Sequence, residues 1–129
     1  MLFSVLKVKD KEYKLRLPMK GLINLEKRLG FNPINVLNTN SSDGLPSFEG
    51  MMVVIQEALQ AYQHGSTLDD AYNLYDEYIE NGGTFQDFVL EFMKIFTTCG
   101  LMSEKQVVQA ENDMKEAEAQ INKTKKAKN

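Results

Sequence analysis

The sequence predicts a mainly α (α+β) fold, a short N-terminal β-hairpin packed on a bundle of about five helices. Three observations lead there. Residues 2–17 alternate like two short strands around a polar turn, apolar residues recur at helical spacing in several later stretches, and residues 66–100 hold two aromatic-rich helical patterns hinged on Asn81-Gly82-Gly83. The 129 residues suit one domain. We divide the chain into a compact part at 1–102, a long amphipathic C-terminal helix at 103–122 and a disordered basic tail at 123–129.

Leu2 to Val8 and Tyr13 to Leu17 form the expected strands, with Lys9-Asp10-Lys11-Glu12 as the turn between them. Lysines at 7, 9, 11 and 14 suit the exposed face of a ribbon too small to be stable alone, so it must lie on the helices. Pro18 ends the second strand and opens a helix whose stripe Leu22, Leu25 and Leu29 closes at Gly30. Residues 32–37 suit one further turn. Residues 38–46, NTNSSDGLP, have the composition of a mobile exposed loop.

Ser47 caps a helix expected from Phe48 to Gln63, with Met51, Ile55, Ala58, Leu59 and Tyr62 on its buried side. His64-Gly65 ends it, the histidine in a capping role. The next helix starts at Ser66 or Thr67, carries Asp69 and Asp70 in its first turn, and ends where Gly82 adopts the left-handed conformation. Thr84-Phe85-Gln86-Asp87 restarts the chain at once as a near capping box, and Gly100 stops it. Leu68, Ala71, Tyr72, Tyr75, Tyr78 and Ile79 make the core stripe of the first helix of this pair. Phe85, Phe88, Val89, Phe92, Phe96 and Cys99 make that of the second. Leu74, Leu90, Met93 and Ile95 fall off these stripes, free to meet a neighbouring helix or a partner.

Ser103-Glu104-Lys105-Gln106 opens the last helix as a capping box. Its seam, Val107, Ala110, Met114, Ala117 and Ile121, has heptad spacing, but it is thin, has two alanines and covers barely two heptads. Such a seam docks marginally or is completed by another chain.

The net charge of −3 conceals a segregation. Residues 1–28 carry eight Lys or Arg against three acids, residues 29–93 none against ten, and residues 94–129 seven against five. A basic N-terminal segment lying over an acidic middle would be internal complementarity; otherwise the acids form a solvated face or meet a basic partner. The middle contains nothing to neutralise phosphate, which argues against nucleic acid.

No catalytic constellation is visible. The one cysteine, Cys99, falls on an expected buried face without a nearby histidine, which marks an inert core thiol. One His and one Cys cannot assemble a zinc site. An EF-hand loop set on Gly82 would place Ile79 and Phe88 at ligand positions, and it fails. We therefore expect no enzyme activity, no metal and no cofactor. No apolar run approaches the roughly 20 residues that span a bilayer, and the N-terminus turns charged too early for a secretory signal, so a soluble cytoplasmic protein is expected.

Three segments carry a resemblance to a known family: KDKEYKLRL at 9–17, GLINLEKRLG at 21–30, and DAYNLYDEYIENGGTFQDFVLEFMKIFTTCGLM at 70–102. Their order, with a helix of the EALQAY kind between the second and third, resembles the tail assembly chaperones of long-tailed bacteriophages and prophages. Asp76 to Gly83 is the most specific piece. The resemblance implies a non-enzymatic protein of the host bacterial cytoplasm, absent from the mature virion. Such proteins hold the tape-measure protein and help recruit major tail (tube) protein subunits. Neither a membrane nor nucleic acid is implied as partner, and a homo-oligomer is compatible. Candidate client contacts are Val107, Val108, Met114 and Ile121, with Leu74, Leu90 and Met93 behind them. The alternative is an acidic phage-encoded adaptor or inhibitor that meets a basic or DNA-binding partner through Asp69, Asp70, Asp76, Glu77, Glu80, Asp87 and Glu91.

Overall fold

The computed structural model describes residues 2–38 and 45–127, with side chains as far as residue 120. Strands β1 (Ser4–Val8) and β2 (Lys11–Leu15) form an antiparallel hairpin, followed by α1 (Met19–Leu29), a 3-10 turn (Pro33–Leu37), α2 (Phe48–Gln60), α3 (Leu68–Glu80), α4 (Phe85–Thr98) and α5 (Glu104–Ala127). The α+β architecture is the expected one. The expected loop lies largely at 39–44, outside the described residues.

The hairpin turn is shorter than its polar composition suggested. Lys11 and Glu12 belong to β2, paired with Val8 and Lys7, so Lys9 and Asp10 alone connect the strands, Lys9 at a φ of 58°. Leu6, Val8 and Leu15 turn inward, and Leu17 follows them into the core from beyond the strand end. The outer edge of β2 is closed by a helix, where Arg16 N–H donates to the Ala58 carbonyl at 3.2 Å. That carbonyl lies in the last turn of α2, where carbonyls have no donor within the helix, so strand edge and helix end complete each other.

α2 stands at the centre of the fold. The Ser47 hydroxyl caps it by accepting from Gly50 N–H at 3.1 Å, and Gly50 to Ile55, Ala58 and Leu59 are buried. The helix ends at Gln60 rather than Gln63, and the chain leaves it through a turn in which Tyr62 and Gln63 N–H share the Leu59 carbonyl. Tyr62 is thus not on the buried side but exposed, with its ring edge against Phe3 at 5.7 Å. His64 lies exposed beyond the helix end.

In α3 the buried face is rotated from the expected stripe. Ala71 and Leu74 are buried, Leu68, Tyr75 and Tyr78 pack against the core, and Tyr72 and Ile79 are exposed. Periodicity counts tyrosine as apolar on whichever side it falls, whereas a phenol tolerates water at its rim. The Asn81-Gly82-Gly83 joint then closes the helix as a Schellman motif: Gly83 N–H reaches the Tyr78 carbonyl at 2.9 Å and Gly82 N–H the Ile79 carbonyl at 3.1 Å. Gly82 has the left-handed φ of 98°. Gly83 is needed for a different reason, since a Cβ there would come within 2.5 Å of the Tyr78 ring.

α4 buries its expected stripe of Phe88, Val89, Phe92 and Phe96, with Phe85 and Cys99 half-buried, and Met93 and Ile95 are buried as well. β1 and α5 cover the remaining faces of this helix. α5 continues to Ala127, past the end expected at Asn122 and into the segment read as a disordered tail. Its first turns dock on α4, and residues 115–120 are exposed.

The two glycines of the joint should respond differently. Gly82→Ala is expected to cost roughly 1–2 kcal/mol, the strain of a left-handed residue carrying a Cβ. Gly83→Ala is expected to cost roughly 1–3 kcal/mol by overpacking against Tyr78, and the additional change Tyr78→Ala should relieve only the part due to the ring, since the Tyr78 carbonyl also lies 2.8 Å from the added Cβ, read in a chemical-denaturation double-mutant cycle.

Candidate partner-binding surface

The structure divides the contacts suggested by the sequence. Leu74, Met93 and Val107 are 1%, 9% and 8% exposed and belong to the core, so they are corrected from partner contacts to packing residues. Leu74 was misplaced because α3 turns that side toward Tyr13 and Leu59, which line the same recess. Met93 lies beneath Ala110 and Met114 of α5. Leu90 and Met114 are half-buried against the core, and Val108 is 54% exposed. The backbone of Ile121 is helical, but its side chain lies outside the described residues. The seam of α5 is thus, as far as Met114, a docking face for α4.

The apolar surface that remains open lies elsewhere. A groove of about 540 Å³ is bounded by Phe48, Met51 and Met52 of α2, Tyr72 and Tyr75 of α3, and Phe85 of α4, with Glu49 and Asp76 on its rim. The Ser47 cap places Phe48 in the first turn of α2, on the same side as Met51 and Ile55 but at the start of the helix, and it is 66% exposed. A chain of edge-to-face rings runs inward from it: Phe48 to Phe85 at 5.4 Å, Phe85 to Tyr75 at 6.5 Å, Tyr75 to Phe88 at 4.8 Å. The exposed aromatics are thereby held by rings whose far end, Phe88, is buried. The methionines add a deformable floor that can match more than one apolar shape. A smaller recess of about 300 Å³ adjoins on the other side of Phe85, between Leu45-Pro46 and the α4–α5 seam.

Sequence reasoning missed this groove for a definite reason. Tyr72 was assigned to the core stripe, and Phe48 and Met52 were given no role. The available signal was an aromatic at the first position after a capping serine, in phase with Met51, Ile55 and Leu59 but at the very start of their stripe, where the helix begins.

The acidic middle is partly neutralised from within. Arg28 pairs with Glu57 at 3.4 Å, and Lys11 with Glu77 at 3.6 Å, both cations coming from the basic N-terminal segment. Asp70 closes the capping box of α3 with Thr67. Asp69, Asp76, Glu80 and Asp87 remain exposed. Among the described residues, no group of three or more His, Cys, Asp or Glu could hold a metal ion, and no helix is long and apolar enough to cross a membrane. Burial raises the Cys99 thiol above its ordinary value, which disfavours the reactive thiolate.

Three tyrosines titrate above their ordinary range, each chiefly through burial: Tyr13, which also donates to Glu77 at 3.2 Å, Tyr75 beside Asp76, and Tyr78 near Asp87 and Glu91. A raised pKa in the fold means that their stabilisation is whole below the phenol's ordinary 10.0 and is lost as pH climbs through the folded value. The melting temperature should therefore hold to about pH 9 and fall above about pH 10, with a shallower fall in a triple Tyr→Phe variant at 13, 75 and 78. Leu74→Ala should cost roughly 2–5 kcal/mol as a core truncation, against less than about 0.5 kcal/mol for Val108→Ala, in urea unfolding.

Residues 3–128 match the family of unknown function DUF6096, and the chain belongs to that family. No curated protein and no solved structure matches it.

Proposed function

We propose that this protein is a tail assembly chaperone of a long-tailed bacteriophage or prophage, which binds and shields apolar helical segments of the tape-measure protein and helps bring major tail protein subunits to it. The reading places the protein in the host cytoplasm and outside the finished virion, with no catalysis and no cofactor. The open groove of Phe48, Met51, Met52, Tyr72, Tyr75 and Phe85 is the observation that carries it. A groove between helices, lined by aromatics and methionines, suits the apolar face of an amphipathic helix. Glu49 and Asp76 on the rim favour a client helix with lysine or arginine beside its apolar residues. The order of hairpin, helices and the Asp76 to Gly83 joint, on which the family resemblance rests, supports the same reading.

The test is co-expression with the neighbouring tape-measure protein and recovery on tagged chaperone. Phe48→Asp combined with Tyr72→Asp changes two exposed side chains and should lower client recovery at least about tenfold, as loss of aromatic anchors does. Recovery equal to that of the unmodified chain would remove the groove as the site. No recovery by the unmodified chain at all would remove the function.

A further inference from the structure

The two edges of the hairpin are treated unequally. In a hairpin closed by two residues, the Val8–Lys11 pair exchanges both main-chain hydrogen bonds, and so do the alternate pairs Leu6–Tyr13 and Ser4–Leu15. Glu12 and Lys14 of β2 then aim their main-chain groups outward, and Arg16, next in that series, is the residue whose N–H meets the Ala58 carbonyl of α2. On β1 the outward groups belong to Val5 and Lys7. Among the described residues no main-chain hydrogen bond closes them. A groove of about 770 Å³ runs along this open edge between residues 2–5 on one side and the end of α4 (Lys94, Thr97, Thr98) and the start of α5 on the other. Leu2, Phe3 and Val108 on its walls are 69%, 39% and 54% exposed, and the buried hydroxyl of Ser4, which also lines it, has no hydrogen-bond partner.

We propose that this edge is an interface for a second copy of the chain, in which the two β1 strands pair antiparallel about Val5 and join the hairpins into one sheet of order β2-β1-β1-β2. Unpaired main-chain donors and acceptors in a row call for an extended strand. The register follows from charge. Pairing about Val5 sets Ser4 opposite Leu6 and Phe3 opposite Lys7, so the one charged side chain of the strand meets an aromatic ring rather than its own copy. The Phe3 ring already accepts an ammonium in this way, with Lys14 Nζ 5.2 Å from its centre. Pairing about Lys7 would instead place two lysines face to face. The outward residues of β1 are the ones that pair in the Val5 register, which leaves every hydrogen bond of each hairpin intact.

Sedimentation equilibrium of the full chain should show a dimer whose population rises with concentration, with the Val5 and Lys7 amides protected from hydrogen exchange. Val5→Pro removes an outward N–H in each copy and no hairpin hydrogen bond, so it should weaken the dimer about tenfold or more while the far-ultraviolet spectrum stays unchanged. Should the proline variant fail to fold, Val5→Cys in a Cys99→Ser background serves in its place: mild oxidation should link two copies through residue 5, far faster than Lys7→Cys in the same background. A chain that stays monomeric throughout, a dimer indifferent to Val5→Pro, or equal linking at residues 5 and 7 would each overturn the proposal. If the unmodified chain is monomeric and Val5→Pro lowers tape-measure recovery, the edge receives a client strand instead, and the pairing of copies is likewise overturned.

Discussion

The burial of α2 is the constraint on which the rest of this fold depends. A helix with Met51, Met52, Val53, Val54 and Ile55 in succession is apolar around most of its middle turns and keeps only a narrow polar edge at Gln56, Glu57 and Gln60, so its neighbours must enclose it. α1 and the 3-10 turn take one flank, α3 and α4 others, and the hairpin lies along the C-terminal turns. Gly50 permits the closest of these approaches, where a Cβ would already press on Val36 at 3.1 Å. The main-chain bond from Arg16 to Ala58 belongs to the same arrangement, since it satisfies a helix end in a place that the hairpin screens from solvent.

Polar residues on α2 are tied as firmly as its apolar ones. Glu57 is held by Asn24 at 3.1 Å and Arg28 at 3.4 Å, and its neighbour Gln56 reaches Arg28 at 2.6 Å and the Ser66 carbonyl at 2.9 Å. These contacts join the basic N-terminal segment, the central helix and the entry to α3. Charge segregation along the sequence is thereby converted in part into internal pairing, while Glu49 and Asp76 border the aromatic groove.

Elements whose boundaries depend on local chemistry could be read from the sequence. Ser47, Thr67 and Thr84 cap as expected, Gly30, Gly82 and Gly100 have the left-handed conformation, and the stripe of α4 is buried. What could not be read was set by neighbours distant in sequence. Leu74 and Met93 looked spare because their own helices gave them no partner, and it is Tyr13, Leu59 and the α5 seam that cover them. Val107 looked available for the converse reason, its partner being a helix whose apolar stripe was already assigned. Tyr72 and Phe48 were obscured by scale, since hydropathy alone does not separate a ring that fills a core from one that borders a groove. The open edge of β1 was beyond sequence reasoning altogether, because only the placement of α2 reveals which edge is closed.

The last helix divides at Met114 into two mechanical regimes. Before it, Val107, Ala110 and Met114 are fixed by the core; after it, residues 115–120 extend into solvent with a rise of about 1.5 Å each. Substitutions at residues 115–120 touch nothing in the core, so that stretch can drift in charge and composition while the domain keeps its shape. It is the part of the molecule where selection on a partner would meet the least resistance from selection on stability.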